Sequence, residues 1–427
     1  MQTYRLAVRA CATTFACCLM LALQAEVTER KSPATSASEF AFIDQAVKQH
    51  IRDGKLVGAV TWISQQGKVV HYAAHGMRDR VQAIGMQPDS IFRIHSFTKS
   101  ITTAAAMMLW EAGKFKLDDP VAKYLPAFSH QKVFDTQGRQ SLSRPMTIRD
   151  LMRHTSGIIS PNEQGTELEK IWHEANLRSL DMPLHEFCNR VAELPLEFSP
   201  GERWKYGMSL DVLGHLIEVW SDQRFEDFLR QRIFAPLAMQ DTDFFVPPEK
   251  LRRLATLYQR DEEGALQSRY GRNSQDDRFY VPQKSPRRCS AGGGLFSTAG
   301  DYGKFLQMLL AGGRHDQRQL LKPETIAMMT ANQLPDHILG VQFGENIRDG
   351  FKFGLGFSVV TKSSKWGPQA RIGEFGWGGA ASCHYWLWPQ QQLAVITLES
   401  TWPYNRNLEN ALKAKIYTAL EQKKRTN

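Results

Sequence analysis

Residues 101–110 contain Ile101, Ala104, Ala105, Ala106, Met107, Met108, Leu109 and Trp110, a helix-length stretch that is apolar on nearly every side. A helix with one apolar face can lie on a surface, but one that is apolar all round needs cover on every side, so this stretch predicts a central, buried helix. Gly113 is placed to end it with a left-handed turn. Two polar residues, Ser96 and Lys99, stand at its start. They are one helical turn apart and share a face, so a hydroxyl and an amine can meet there. Desolvation and the helix dipole both disfavour a charged amine at that place, and a neutral amine is able to take the hydroxyl proton. The free amides of the first turn favour a developing oxyanion. S-x-x-K alone is a weak motif, because a capping serine followed by a snorkelling lysine gives the same letters.

A chain of 427 residues, 42% hydrophobic and 23% charged, has enough apolar material to enclose such a helix in one large module or two. A helix is expected from Glu39 to about Arg52. Strands follow at Val57 to Ser64 and Val69 to His75, joined by a hairpin turn at Gln65-Gln66-Gly67. Near the other end, strands are expected at Phe353 to Thr361, Ala380 to Trp388 and Leu393 to Glu399, with a closing helix from about Leu408 to Leu420. Strands at both ends with short helices and loops between them predict a discontinuous α/β lobe, about residues 39–116 and 289–427, and a mostly helical lobe, about residues 117–288. No internal repeat is present.

The N-terminus reads as a secretory signal. Arg5 and Arg9 precede the apolar run Ala10 to Leu23, and Ala25 offers a small residue for cleavage. The run is shorter than a membrane-spanning helix needs. Residues 1–25 are therefore expected to be a signal peptide, residues 26–38 a spacer and residues 39–427 the working domain, exported to a periplasmic or extracellular space with no integral span left. An Arg-containing, acid-free start also suits an organelle presequence. Of the six cysteines, Cys11, Cys17 and Cys18 fall in the leader, and Cys188, Cys289 and Cys383 are too scattered for a disulfide framework or a metal set. The net charge of +9 is spread along the chain without a basic, aromatic-interleaved face, so nucleic acid is not an expected partner.

Several other patterns fail. Ser221-Asp222-Gln223 follows a helical run and ends in Gln; His173-Glu174 has Leu177 where a zinc helix needs a second histidine; Lys352-Phe353-Gly354 opens a strand elsewhere; G-x-S-x-G is absent; the Gly292 to Gly294 run lacks the helix context of a phosphate loop. His95 and His154 are expected to have structural hydrogen-bonding roles. No metal or organic cofactor is called for.

Seven ordered stretches change the weight of Ser96 and Lys99: FRIHSFTKSIT, GKFKLDDPVAKYLP, MTIRDLMRHTSGI, FSPGERWKYGMSLDVLGHLIE, AGGGLFSTAGDYGKFLQMLL, FGLGF and GWGGAAS. With them the chain resembles the serine β-lactamase, penicillin-binding protein and esterase superfamily, in its class C β-lactamase-like branch, over roughly residues 40 to 420. The resemblance implies an α/β fold of the α+β type, with a five-stranded antiparallel sheet flanked by helices, a mostly helical second lobe and the active site between them. It implies Ser96 as the nucleophile, Lys99 as its proton acceptor and Tyr206 as a proton shuttle. Tyr206 read alone is a half-buried aromatic after a turn. Trp377-Gly378-Gly379 stands where relatives carry Lys-Thr-Gly or His-Thr-Gly, so the amides of Ser96 and Ala380 are expected as oxyanion donors. Trp377, Gly378, Gly379 and Met208 are expected to line the substrate, although Trp377 also reads as a plain strand aromatic.

Two departures shape the functional expectation. Tyr206-Gly207-Met208 lacks the asparagine of Tyr-x-Asn, and Trp377 replaces a cationic or imidazole group. Both losses remove partners for a penicillin. A Ser96 acyl-enzyme acting as a carboxylesterase or acyltransferase on small esters, with weak or no β-lactam turnover, is therefore expected. A β-lactamase or D-alanyl-D-alanine carboxypeptidase is the alternative, followed by a non-catalytic penicillin-binding envelope protein. The expected partner is a small ester or other acyl compound; the oligomeric state is left open.

Overall fold

The computed structural model describes residues 40–135, 138–162, 165–269 and 280–426. The expected leader and the whole of the spacer lie outside the described residues. Residues Glu39–Asn427 form one compact unit.

The chain opens with α1 (Ala41–Arg52), β1 (Gly58–Gln65), β2 (Lys68–Asp79) and the two-residue β3 (Ile84–Gly85). The β1–β2 turn uses Gln66 and Gly67, both at positive φ, as a tight hairpin of right-handed twist requires. Next come the apolar helix α2 (Thr98–Glu111), then α3 (Ser209–Ser221) and α4 (Ala299–Leu310). A hairpin of β4 (Gly340–Phe343) and β5 (Asn346–Asp349) precedes β6 (Phe351–Phe353), β7 (Ser358–Val360), β8 (Phe375–Gly379), β9 (Cys383–Trp388), β10 (Leu393–Glu399) and α5 (Asn407–Thr426).

The main sheet is antiparallel and has eight strands in the order β6-β7-β8-β9-β10-β1-β2-β3. This corrects the expected five. The five came with the family resemblance; β3, β6 and β7 are only two or three residues long, and β3 is too short to show a period in sequence. The stretch read as one strand from Phe353 to Thr361 is two strands, because Gly356 at φ +80 turns the chain between them.

Side-chain alternation puts a helical layer on each face. On β10, Ala394, Ile396 and Leu398 join the larger core with α2 and α4, while Leu393 and Val395 pack with Trp386, α1 and α5. Every α2 residue from Thr98 to Leu109 is buried, and Gly113 ends the helix region at φ +73. Two of its buried hydroxyls are tied across the fold, Thr102 donating to the Ala291 carbonyl at 2.7 Å and Ser100 to the Gly356 carbonyl at 3.2 Å, while the Thr103 hydroxyl has no hydrogen-bond partner among the described residues. The helix therefore sits as a fixed axle between the sheet and α3, with its N-terminus at the C-terminal end of β8.

Candidate active site

Ser96 does not lie inside the α-helix, as its spacing to Lys99 suggests. It occupies a 3₁₀ turn, His95–Phe97, immediately before α2. His95 is held at φ +47, and its carbonyl accepts from Thr98 Oγ1 at 2.6 Å. The Ile94 amide donates to the Leu295 carbonyl at 3.1 Å, and the Leu295 amide donates to Thr98 Oγ1 at 3.2 Å. These bonds lace the serine turn to the segment after Ser290, so the hydroxyl is presented by a rigid bend.

Lys99 is only 5% exposed. Its Nζ lies 3.4 Å from Ser96 Oγ and 2.5 Å from the Gly292 carbonyl oxygen. Tyr206 Oη lies 2.6 Å from the same Ser96 Oγ, and Lys99 Nζ sits 4.7 Å from the centre of the Tyr206 ring. The fold thus brings Ser96, Lys99 and Tyr206 into one hydrogen-bonded cluster from two distant segments.

Tyr206 is set by its neighbours in sequence and in space. A Cβ at Gly207 would lie 2.3 Å from the Ile158 carbonyl oxygen, so only glycine lets the segment press against that backbone. The Tyr206 ring packs against His154 at 4.8 Å and Trp377 at 5.4 Å between centroids. The expected hydrogen-bonding role is corrected here for His154. Neither ring nitrogen of His154 and not Nε2 of His95 finds a hydrogen-bond partner among the described residues. Burial, then the nearby positive charge of Lys99, hold His154 well below the ordinary imidazole range; burial, Arg93 and Lys99 do the same to His95. His154 is a neutral packing ring, and it wedges the tyrosine from behind.

β8 forms the opposite wall. β7 pairs only with Phe375 and Gly376, so no described strand occupies the outer edge of Trp377, Gly378 and Gly379. A Cβ at Gly379 would lie 2.5 Å from the Ile94 carbonyl oxygen, which explains why this strand comes so close to the serine turn. Trp377 Nε1 donates to Tyr206 Oη at 3.3 Å. After Gly379 the chain turns through Ala380 to Ser382, at φ +61, whose hydroxyl donates to the Thr401 carbonyl at 2.8 Å and accepts from Asn405 Nδ2 at 2.9 Å. Ser96, Lys99, Tyr206, Met208 and Ala380 line one cavity of about 240 Å³. Trp377 and Gly378 line a smaller neighbouring hollow of about 80 Å³, and Gly379 faces Ile94 between the two.

One residue of the cavity wall escaped the sequence reading. Asp211, 2% exposed, accepts from Ser290 Oγ at 2.8 Å and lies 3.6 Å from the buried Arg288 guanidinium. A Cβ at Gly292 would meet Asp211 Oδ2 at 2.4 Å and Lys99 Nζ at 3.4 Å, so the carboxylate and the amine flank that glycine. The available signal was an acid set among Leu210, Val212 and Leu213 in the apolar first turn of the helix. Among the described residues no three His, Cys, Asp or Glu side chains are grouped to hold a metal ion, and no helix is long and apolar enough to cross a membrane.

The sequence profile of the β-lactamase family matches residues 43–419. The chain belongs to the β-lactamase family. Within it, the chain is 33% identical to protein Rv1367c of Mycobacterium tuberculosis, over 81% of this chain and 86% of that protein. It is 28% identical to esterase EstB of Burkholderia gladioli, over 86% of this chain and 91% of the esterase. It is 27% identical to the monacolin J acid methylbutanoyltransferase of Aspergillus terreus, over 91% and 98% of the two chains. Among solved structures, the fold is similar to EstCE1, a hydrolase with promiscuous acyltransferase activity, with a TM-score of 0.74 at 24% identity over 89% of this chain and 98% of that one. Two of these relatives are an esterase and an acyltransferase, and the chain is a serine hydrolase of the β-lactamase family.

Proposed function

We propose that the chain is an esterase or acyltransferase that carries a small acyl group on Ser96. The observation that supports this most is the triangle at the cavity: Tyr206 Oη 2.6 Å and Lys99 Nζ 3.4 Å from one serine oxygen. Ser96 Oγ attacks the ester carbonyl while its proton passes to the Lys99–Tyr206 pair. The carbonyl oxygen, now negative, is received by the backbone amides of Ser96 and Ala380. Tyr206 returns the proton to the departing alcohol, and the acyl group remains on Ser96 as an ester. Water, or a second alcohol or amine, enters by the same route in reverse and takes the acyl group away. Trp377, through its N–H at 3.3 Å, steadies the Tyr206 oxygen whenever that oxygen has given up its proton.

Met208 in the cavity and Trp377 beside Tyr206 favour an ester over a β-lactam, since neither offers the amide or cation that would hold a penicillin's acylamino and carboxylate groups. The similarity to an esterase and to a methylbutanoyltransferase points the same way. The test is turnover of a short-chain nitrophenyl ester and of nitrocefin by the wild type and by Ser96→Ala, with intact-protein mass spectrometry. Ester turnover abolished in the variant, with an acyl mass retained on the wild type, is the expected result. Ester turnover that survives in Ser96→Ala, or stoichiometric labelling with no turnover of any substrate, overturns it. Export, with cleavage after Ala25, is proposed from the leader, and the N-terminal sequence of the secreted protein checks it.

A further inference from the structure

Beside the catalytic cavity, the small hollow over the outer edge of β8 is lined by Arg348, Ser358, Trp377, Gly378 and Tyr404. Arg348 stands on β5, and its guanidinium lies 4.6 Å from the centre of the Phe343 ring on β4. That ring is 6.3 Å from Trp377 and 6.2 Å from Tyr206, so one aromatic side chain separates the cation from the reacting groups. Stacking on an aromatic face fixes the plane of a guanidinium and leaves its edge for a planar anion.

Arg348 has no anion of its own. Its buried Nε finds no hydrogen-bond partner, and no carboxylate among the described residues is paired with it. The acids around the hollow are already committed. Glu409 receives Arg406 at 2.6 and 2.9 Å and Lys413 at 3.0 Å. Glu374 receives Lys413 at 2.5 Å and a very short bond from Tyr417. Asp349, next in the chain, faces Lys362 at 3.4 Å. Burial and the neighbouring Arg406 guanidinium push Arg348 below the usual arginine range, so the place is electropositive and partly dry. A half-buried, stacked cation with unused donors beside a catalytic strand is arranged to receive a charge from outside.

We propose that Arg348 recognises a carboxylate on the substrate, and that the natural ester carries this carboxylate on the part lying along the free edge of β8. A hollow of about 80 Å³ holds one such group beside Trp377. This assignment rests on the ester reading above.

The experiment compares matched esters with wild type, Arg348→Gln and Arg348→Lys. One pair places the charge on the acyl side (nitrophenyl hemisuccinate against its methyl ester), the other on the alcohol side (4-carboxyphenyl butyrate against its methyl ester). In at least one pair the wild type is expected to favour the carboxylate. Arg348→Gln is expected to lower kcat/KM for it by about 10- to 100-fold, mostly through KM, with the uncharged ester within about twofold and with partial rescue by Arg348→Lys. A binding arm measures stabilisation by glutarate, which should raise the thermal midpoint of the wild type and not of Arg348→Gln. No carboxylate preference in either pair, or equal losses on charged and uncharged esters, overturns the proposal. Should the wild type hydrolyse no ester, the functional reading fails, and the glutarate arm decides the Arg348 proposal by itself.

Discussion

Gly379→Ala is the substitution that interrogates the site most directly. Its Cβ would stand 2.5 Å from the Ile94 carbonyl oxygen and 3.3 Å from Cys383 Cβ. Carbon needs roughly 3.5 Å from such an atom, so about one ångström has to be found. Neither neighbour is the end of a flexible side chain. The carbonyl belongs to the residue before His95 in the serine turn, and that turn is tied to Leu295 and Thr98. The relief therefore comes from spreading β8 away from Ser96, which separates the Ala380 amide from the Ser96 amide. Losing one oxyanion donor costs about 3 kcal/mol, and a misplacement of about 1 Å alone can cost about 100-fold in rate.

The expected result is a fall of about 100-fold in kcat for a nitrophenyl ester, with KM changed little and the thermal midpoint lowered by only a few degrees. Gly378→Ala supplies the comparison. Its Cβ would meet the Tyr404 ring at 2.9 Å, but Tyr404 is 44% exposed and can swing aside, so less than about tenfold is expected. If Gly379→Ala kept its rate within about threefold at full stability, or if the two glycines gave equal losses, the two-amide oxyanion site would be wrong.

Three further outcomes are expected. Tyr206→Phe keeps the ring among His154, Trp204 and Trp377 and removes only the oxygen; stability should hold while kcat falls by about 100-fold or more, read from steady-state rates. Trp377→Phe keeps the wall and removes the N–H to Tyr206, for a loss of about 3- to 10-fold in kcat, and a loss equal to that of Tyr206→Phe would contradict the assigned roles. Asp150 concerns stability rather than chemistry. Burial raises its carboxyl, but bonds from Arg144, Thr147 and Thr155 outweigh this and hold it at about 2 against an ordinary 3.8. The unfolded chain therefore takes up the proton first as pH falls. The stabilisation, about 2 kcal/mol, is complete above about pH 4 and is lost on descending to about pH 2. Asp150→Asn should flatten that limb of the urea midpoint against pH, and an unchanged limb would refute the linkage.

What the sequence made legible was whatever is local along the chain. The apolar circumference of α2 is a property of ten adjacent residues, and it correctly demanded a buried axle. The Gln66-Gly67 turn and the alternation of β10 are equally local. The spacing of Ser96 and Lys99 foretold their contact, although the serine stands in a 3₁₀ turn, because His95 bends the backbone before the helix begins. The expectation of five strands came with the family resemblance and not from any period, and the two-residue β3 is too short to have shown one, so the sheet has eight strands where five were expected.

The site resisted reading where its geometry depends on backbone meeting backbone across the fold. Gly379 against Ile94 and Gly207 against Ile158 are close approaches in which the informative feature is a missing side chain, and glycine in sequence does not say what it must avoid. His154 was given a hydrogen-bonding role and Asp211 was passed over for a related reason: what matters is the atom behind them, the Tyr206 ring in one case and Gly292 beside Lys99 in the other. The same logic links the two kinds of residue. A lysine and a tyrosine able to exchange a proton with Ser96 are useful only if their oxygen and nitrogen stay within reach of one point, and a strand, a packing histidine and a buried acid from separate segments set that point together. The glycine substitution is the sharpest probe because it moves the point and leaves every reacting atom in place.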